Sequence, residues 1–189
     1  MSGLNSLNPL DRLTARINAE VIHAIALHSV WSTCIDLRHE FAVPLLLRNS
    51  VQIELLITLC RLYDKPQNNF TIPGVLGLLD KPTERHKLYS HDCAESARKS
   101  FGDLEKIDVL TRVRDLRDRV LAHNDRRPLK YLVQHGDETA LLEHTILIAG
   151  LLHQAVTGNQ PQFSEDGITW IEMANDFWRW VQQSTAANN

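Results

Sequence analysis

The stretch that decides the fold is LLLRNSVQIELLITLCRLYD, residues Leu45 to Asp64. Its apolar residues fall on most sides of a helix, and a helix that is apolar all round is a buried one. We therefore predict that this segment is the central core helix. Pro44 stands directly before it and marks a break or the start of the helix, because proline is tolerated only in a first turn. The polar loop KPQNNF follows it.

Helical periodicity continues on both sides of this segment. Asn8-Pro9 is a plausible helix start, and an apolar stripe follows it at Leu13, Ile17, Val21, Ala24, Ile25, His28 and Trp31. Thr71 is predicted to cap a short helix in TIPGVLGLLD. Further helices are predicted over about 82–100 with Gly102 as C-cap, from Asp103 to near His123, and over 138–156 and 166–183.

These elements predict an all-α protein, a bundle of about five to seven helices in a single domain over residues 1–189. YLVQHGDET, residues 131–139, is the only stretch that could pair as a strand. On the last helix, the spacing of Trp170, Ala174, Phe177 and Val181 predicts a buried face rather than a base-stacking surface.

Composition excludes several classes of protein. The formal net charge of −3 gives no global bias toward nucleic acid, so any anion site has to be local. Three widely spaced cysteines argue against a disulfide scaffold and favour a reducing compartment. The N-terminus lacks the pattern of a secretory signal, and no apolar run reaches the ~18 residues of a membrane span. We expect a cytoplasmic protein without a membrane partner.

The histidines do not predict a metal site. His23 with His28, and His86 with His91, are spaced by five residues. That spacing places the two rings roughly 140° apart around a helix rather than on one face. No bound metal or cofactor is expected.

The stretch RDLRDRVLAHND, Arg114 to Asp125, carries the most informative charges. Residues 111–130 contain six arginines and one lysine against three aspartates, a basic patch on a chain that is acidic overall. The patch is either a solvated helix laced by pairs such as Asp115 with Arg119, or an anion site. His123 stands where the helix should end, and the helix dipole there raises the pKa of an imidazole. Arginine beside such a histidine is suited to phosphate chemistry.

This stretch also carries a resemblance. Arg117 to His123, RDRVLAH, resembles the R-x4-6-H motif of the HEPN superfamily. The longer string RDRVLAHND resembles the signature RDK-x-x-AH-x-D of the abortive-infection AbiU-like branch, with Arg119 where lysine is usual. The segment LLITLCRLYDKP, residues 55–66, is similar to the second helix of that branch.

The resemblance implies a metal-independent endoribonuclease, of the kind found among toxins and antiphage effectors, whose arginine and histidine meet across a homodimer interface. Carried over to this chain, Arg117 and His123 would be the catalytic pair, and Asp118 would orient one of them. Arg117 and His123 lie about 120° apart around a continuous helix, so they converge only where the helix ends or a partner subunit contributes. Neighbouring charged residues would support the site or bind RNA: Arg114, Arg119, Asp125, Arg126 and Arg127.

Three functions stay open at this point. The first is a dimeric HEPN ribonuclease that cleaves RNA by attack of a 2′-hydroxyl, with a nucleotidyltransferase-type protein as its antitoxin. The second is a non-catalytic HEPN module that binds nucleotide, RNA or a partner protein. The third is a helical scaffold whose basic patch is only solvated.

Overall fold

The computed structural model describes residues 8–33, 42–64, 70–118 and 136–186. Over these residues the chain is entirely helical, which confirms the all-α prediction. Eight helices follow one another, one of them a single turn: α1 Pro9–Thr33, α2 Ala42–Leu62, α3 Ile72–Leu79, α4 Pro82–Arg85, α5 His91–Lys106, α6 Val109–Leu116, α7 Asp137–Thr157 and α8 Phe163–Ala186.

Helix α1 forms because its start and its apolar stripe agree. The side chain of Asn8 accepts a hydrogen bond from the backbone N–H of Leu10 at 3.3 Å, next to Pro9 in the first turn. The buried side chains of the helix repeat at helical spacing, as predicted: Leu10, Leu13, Ile17, Val21, Ala24, Ile25 and Trp31. Helix α1 packs along α2, α7 and α8.

The helices with the widest packing are α1 and α7, rather than α2 as predicted. Helix α7 packs against both α1 and α5 and also touches α2 and α6. It begins after Gly136 and ends at Gly158, both with positive φ, which glycine adopts without a Cβ penalty. By length and composition α7 would be able to cross a membrane. Ten of its residues are buried inside the protein, however, as expected for the core helix of a soluble bundle.

Helix α2 is buried mainly over its C-terminal half. Leu55 and Leu59 are fully buried, whereas Leu46 is 66% exposed and Ile53 is 40% exposed. An apolar composition therefore did not make α2 the centre of the bundle, because its contacts with α1 use one face and leave other apolar side chains on the surface. Pro44 lies within the first turn of the helix, where it costs no intrahelical hydrogen bond.

Of the predicted helix boundaries, the start of α3 is confirmed, whereas the helix predicted over 82–100 has the wrong bounds. Thr71 caps α3 as predicted, since its hydroxyl accepts a hydrogen bond from the N–H of Gly74 at 3.2 Å. The predicted helix over 82–100 is two helices, because Ser90 caps a new one, α5, by accepting from the N–H of Cys93. Gly102 lies inside α5 rather than at its end. The helix continues past it because Leu104, one turn from Phe101, is fully buried.

The predicted buried face of α8 is confirmed at Ala174 and wrong at Phe177, which is 41% exposed while its neighbour Trp178 is buried. Trp178 takes the buried position because its indole N–H donates a hydrogen bond to the backbone carbonyl of Val30 on α1 at 2.8 Å. The possible strand is not formed by its described part: Asp137 to Thr139 begin α7, and residues 131–135 lie outside the described residues.

Candidate functional site

An open cavity of about 670 Å³ lies where α1, the end of α2, the start of α3 and the end of α6 meet. Its size falls within the range of about 300–1,000 Å³ typical of ligand sites. The wall is rich in charged side chains and contains one aromatic ring: Arg16, Glu20, Arg61, Leu62, Asp64, Phe70, Thr71, Arg114, Arg117 and Asp118.

Arg117 is the arginine held most firmly in this wall. Its Nη1 donates to Oδ1 of Asp64 at 2.6 Å, and its Nε donates to Oδ1 of Asp118 at 2.7 Å. The side chain is 19% exposed. Burial alone would lower the pKa of Arg117, but the hydrogen bonds to the two carboxylates raise it above its usual value. Arg117 is therefore a permanent, oriented cation at the cavity surface.

The two carboxylates reach Arg117 from different elements. Asp118 is its neighbour in the chain, and Arg117 and Asp118 continue α6 in wider, π-helical geometry. Such turns occur often at functional sites. Asp64 comes from the end of α2, 53 residues earlier. Arg117 thus couples α6 to α2 at the rim of the cavity.

Helix α6 is also fixed on its other sides. Nε and Nη2 of Arg112 donate to the two carboxylate oxygens of Asp137 at 2.8 and 2.7 Å, in the bidentate geometry that favours arginine over lysine. Arg114 donates to the backbone carbonyl of Tyr63. These contacts hold α6 against the start of α7 and the end of α2, so the orientation of Arg117 does not depend on its own ion pairs alone.

The cavity wall carries a second set of charges on α1 and at the end of α2. Arg61 donates to Glu20 on α1 at 3.1 Å and to the hydroxyl of Thr58 at 3.3 Å. The guanidinium carbon of Arg16 lies 4.1 Å from the ring centre of Phe70, a cation–π contact. Arg16 and Glu20 are four residues apart on α1, which puts them on one helix face.

The wall contains more arginines than carboxylates among the residues that the structure describes: four arginines and three carboxylates line it. Each of these carboxylates accepts a hydrogen bond from an arginine: Glu20 from Arg61, and Asp64 and Asp118 from Arg117. The carboxylates therefore orient the arginines more than they cancel them, and the described wall suits an anionic ligand.

Of the predicted site residues, the structure describes three, and all three line this cavity: Arg114, Arg117 and Asp118. The predicted catalytic partner His123 lies outside the described residues, as do Arg119, Asp125, Arg126 and Arg127. The geometry of the Arg117–His123 pair consequently stays a prediction.

Cys60 lies close enough to Arg117 for their charges to interact, but it is not suited to nucleophilic chemistry. Its side chain is fully buried in the core. Burial raises the pKa of the thiol to about 12, and the nearby Arg117 offsets this only in part. The thiol is protonated at neutral pH and acts as a small apolar side chain. Among the described residues no group of three histidine, cysteine or carboxylate side chains is placed to hold a metal ion.

Sequence reasoning missed several residues of the wall. Asp64 was part of the segment LYDKP that carried the resemblance, but nothing in the local pattern paired it with Arg117. Arg16 and Phe70 gave no signal, because an arginine on an amphipathic helix and a phenylalanine after a loop are ordinary surface residues. A helix-end aspartate followed by Lys-Pro was the one usable clue.

Comparison with known proteins agrees with the motif in this wall. No curated protein and no solved structure gives a significant match to the chain. The family model HEPN_AbiU2, described as AbiU2, matches residues 7–177 and so spans the cavity, α6 and the segment that carries the R-x4-6-H motif. The chain belongs to the HEPN_AbiU2 family.

Proposed function

We propose that this protein is a metal-independent endoribonuclease of the HEPN type. The observation that carries the proposal is the placement of Arg117. Its side chain is mostly buried, is oriented by Asp64 and Asp118, and lies at the surface of a cavity large enough for a nucleotide. Membership of the HEPN_AbiU2 family supports it, because Arg117 and His123 stand at the two fixed positions of the family's motif.

The chemistry requires no metal. The ribose 2′-oxygen forms a bond with the adjacent phosphorus while the bond from phosphorus to the 5′-oxygen breaks, leaving a 2′,3′-cyclic phosphate and a 5′-hydroxyl. His123, or its copy in a second subunit, transfers the proton that leaves the 2′-hydroxyl or reaches the departing oxygen. Arg117 stabilises the negative charge that grows on the non-bridging oxygens. Because the carboxylates already orient its guanidinium, little reorganisation is needed in the transition state.

A homodimer is part of the proposal. One chain holds one Arg117 and one His123, and a two-fold interface would bring two of each together. Leu46 and Leu47, exposed near the start of α2, offer apolar surface for such an interface. Sedimentation of the purified protein should give the mass of two chains.

The decisive experiment is cleavage of single-stranded RNA in the presence of EDTA. Wild-type protein should produce 2′,3′-cyclic phosphate ends, and Arg117→Ala and His123→Ala should each lower the rate by about 100-fold or more. Arg179→Ala is the matched control, since Arg179 pairs with Asp176 on α8, an exposed pair on a helix that lines no part of the cavity. Cleavage that survives both substitutions, or that requires a divalent ion, would contradict the proposal.

The second candidate is a non-catalytic HEPN module that binds nucleotide or RNA, or a partner protein. The carboxylates of the described wall favour it, because Glu20, Asp64 and Asp118 already accept hydrogen bonds from its arginines, and catalytic anion sites gain from a larger positive excess. RNA binding that needs Arg117 without any cleavage, in the same assay, would establish this alternative.

The proposed biological role is that of a toxin or an abortive-infection component. Expression of the wild-type protein should then slow growth, and His123→Ala should relieve the effect. Co-expression of an adjacent nucleotidyltransferase-type gene should relieve it as well. Equal growth of cells that express the wild type and cells that express His123→Ala would count against the toxin role.

A further inference from the structure

The wall of the cavity also contains a cation–π pair that the cleavage chemistry does not use. The guanidinium of Arg16 lies 4.1 Å from the ring centre of Phe70. Phe70 is 43% exposed although it stands next to Thr71, the cap of α3. A large aromatic side chain kept half exposed inside a cavity, with an arginine against its face, has the composition of a base-stacking surface.

The position of the pair relative to Arg117 agrees with a nucleotide in the cavity. Arg16 and Phe70 line the same cavity as Arg117 but come from α1 and the start of α3, whereas Arg117 comes from α6. A bare phosphate would fill only a small part of about 670 Å³. The arginines among the described lining residues suit the negative charge of a phosphodiester. Phe70 and Arg16 add an aromatic ring and a planar guanidinium to the same wall.

We infer that Arg16 and Phe70 form a stacking subsite for one unpaired base of a single-stranded RNA, next to the phosphate that Arg117 contacts. This inference rests on the proposed function for its substrate class and adds the residues that hold the base. Arg61 lines the same cavity and donates hydrogen bonds to Glu20 and Thr58, so Arg16 is not the only cation of the wall besides Arg114 and Arg117. A base in a duplex is stacked on both faces and could not enter the subsite, so the cavity should discriminate against paired RNA.

The test measures binding rather than cleavage. Fluorescence anisotropy with a 2′-O-methyl oligoribonucleotide, which cannot be cleaved, reports affinity for wild type and variants. Phe70→Ala should weaken binding about tenfold, the loss expected for one stacked base. Phe70→Trp keeps an aromatic face and should bind like wild type. Phe177→Ala is the control, because Phe177 is 41% exposed on α8, outside the cavity, and its loss should leave binding unchanged.

A second set of oligonucleotides locates the base. Each position in turn carries an abasic ribose, and one position should weaken binding to the wild type about tenfold while causing no further loss in Phe70→Ala. Arg16→Ala should show the same coupling with that position. A blunt-ended duplex of equal length should bind more weakly than the single strand and should not respond to Phe70→Ala.

The inference is overturned if Phe70→Ala binds like wild type, if Phe70→Trp fails to restore binding in a variant with a normal melting temperature, or if abasic sites weaken both proteins equally. Its failure is separable from that of the proposed function. Coupling between Phe70 and one base without any RNA cleavage would remove the nuclease and keep the subsite. Cleavage that depends on Arg117 without such coupling would do the reverse.

Discussion

Replacing Asp64 with asparagine tests whether a residue from α2 positions Arg117. Asparagine has nearly the same volume and still offers one acceptor oxygen, so the change removes a charge rather than a side chain. The carboxylate is 43% exposed and accepts from Nη1 of Arg117 at 2.6 Å. Hydrogen bonds to charged groups contribute about 1.5–3 kcal/mol, and exposed ion pairs about 0.2–1 kcal/mol. For a half-exposed partner we expect a loss of about 1 kcal/mol in the free energy of unfolding.

That loss corresponds to a fall of about 2–4 °C in the melting temperature of a chain of this size. Catalysis should fall further than stability does. Arg117 keeps its contact with Asp118 but loses one of its two restraints, so kcat should fall about tenfold, less than the roughly 100-fold expected when a charge-stabilising donor is removed altogether.

RNA affinity should move the other way. Asp64→Asn raises the net charge of the cavity wall by one positive unit. A unit charge about 7 Å from a phosphate contributes about 0.6 kcal/mol in water, or roughly a threefold change in Kd. Binding of an uncleavable RNA should therefore tighten at low ionic strength, and the gain should disappear at about 1 M salt.

The assay combines thermal melting, cleavage rates and anisotropy titrations on Asp64→Asn and on Asp176→Asn. The second variant is matched, since Asp176 accepts from Arg179 at 2.8 Å but lies on α8 away from the cavity. A variant of Asp64 that cleaves at the wild-type rate would refute the positioning role. Weaker RNA binding would show instead that the carboxylate contacts the substrate.

Three further predictions concern the core and its titrating groups. Tyr63→Phe removes the buried hydrogen bond to the hydroxyl of Thr145 at 2.8 Å and should cost about 1 kcal/mol in urea unfolding; an unchanged midpoint would contradict it. Burial lowers the pKa of His28 below 6.5, so the contribution of His28 to stability is full above about pH 6.5 and is lost as pH falls through the folded pKa. His28→Gln should therefore flatten the decline in unfolding free energy between about pH 7.5 and 5.5. An equal slope in both proteins would argue against this. Cys60, with its pKa raised by burial to about 12, should resist iodoacetamide at pH 8 in native protein, while the half-buried Cys93 reacts faster; mass spectrometry showing equal labelling would disprove the burial of α2.

Local signals in the sequence predicted the local structure well. The stripe of α1 and the Thr71 cap depend on residues three or four positions apart, and such neighbours are read directly from the helical period. The fold class followed from the same periodicity. The helix end predicted at Gly102 is wrong, because the glycine signal competed with the apolar period. Leu104 beyond Gly102 is buried, and the helix continues past it.

The candidate site also contains residues that local signals predict and residues that they do not. Arg114, Arg117 and Asp118 were predicted from one continuous motif, and they line the cavity because they share the end of α6. Asp64 comes from 53 residues earlier. No sequence period connects residues on different helices, so a pairing of this kind becomes visible only when the packing of α2 against α6 is known.

The sequence by itself determined that the described chain is helical, that α1 buries one stripe, and that Arg114, Arg117 and Asp118 lie together at the end of α6, because each depends on short-range chemistry. The tertiary structure alone decided that α1 and α7 rather than α2 pack most widely, that Trp178 rather than Phe177 faces α1, and that Arg16, Phe70 and Asp64 share a cavity with Arg117. The physical reason is that hydrophobic burial is not directional. An apolar helix can satisfy it in many arrangements, and the choice among them falls to shape and to specific polar contacts between helices distant in sequence.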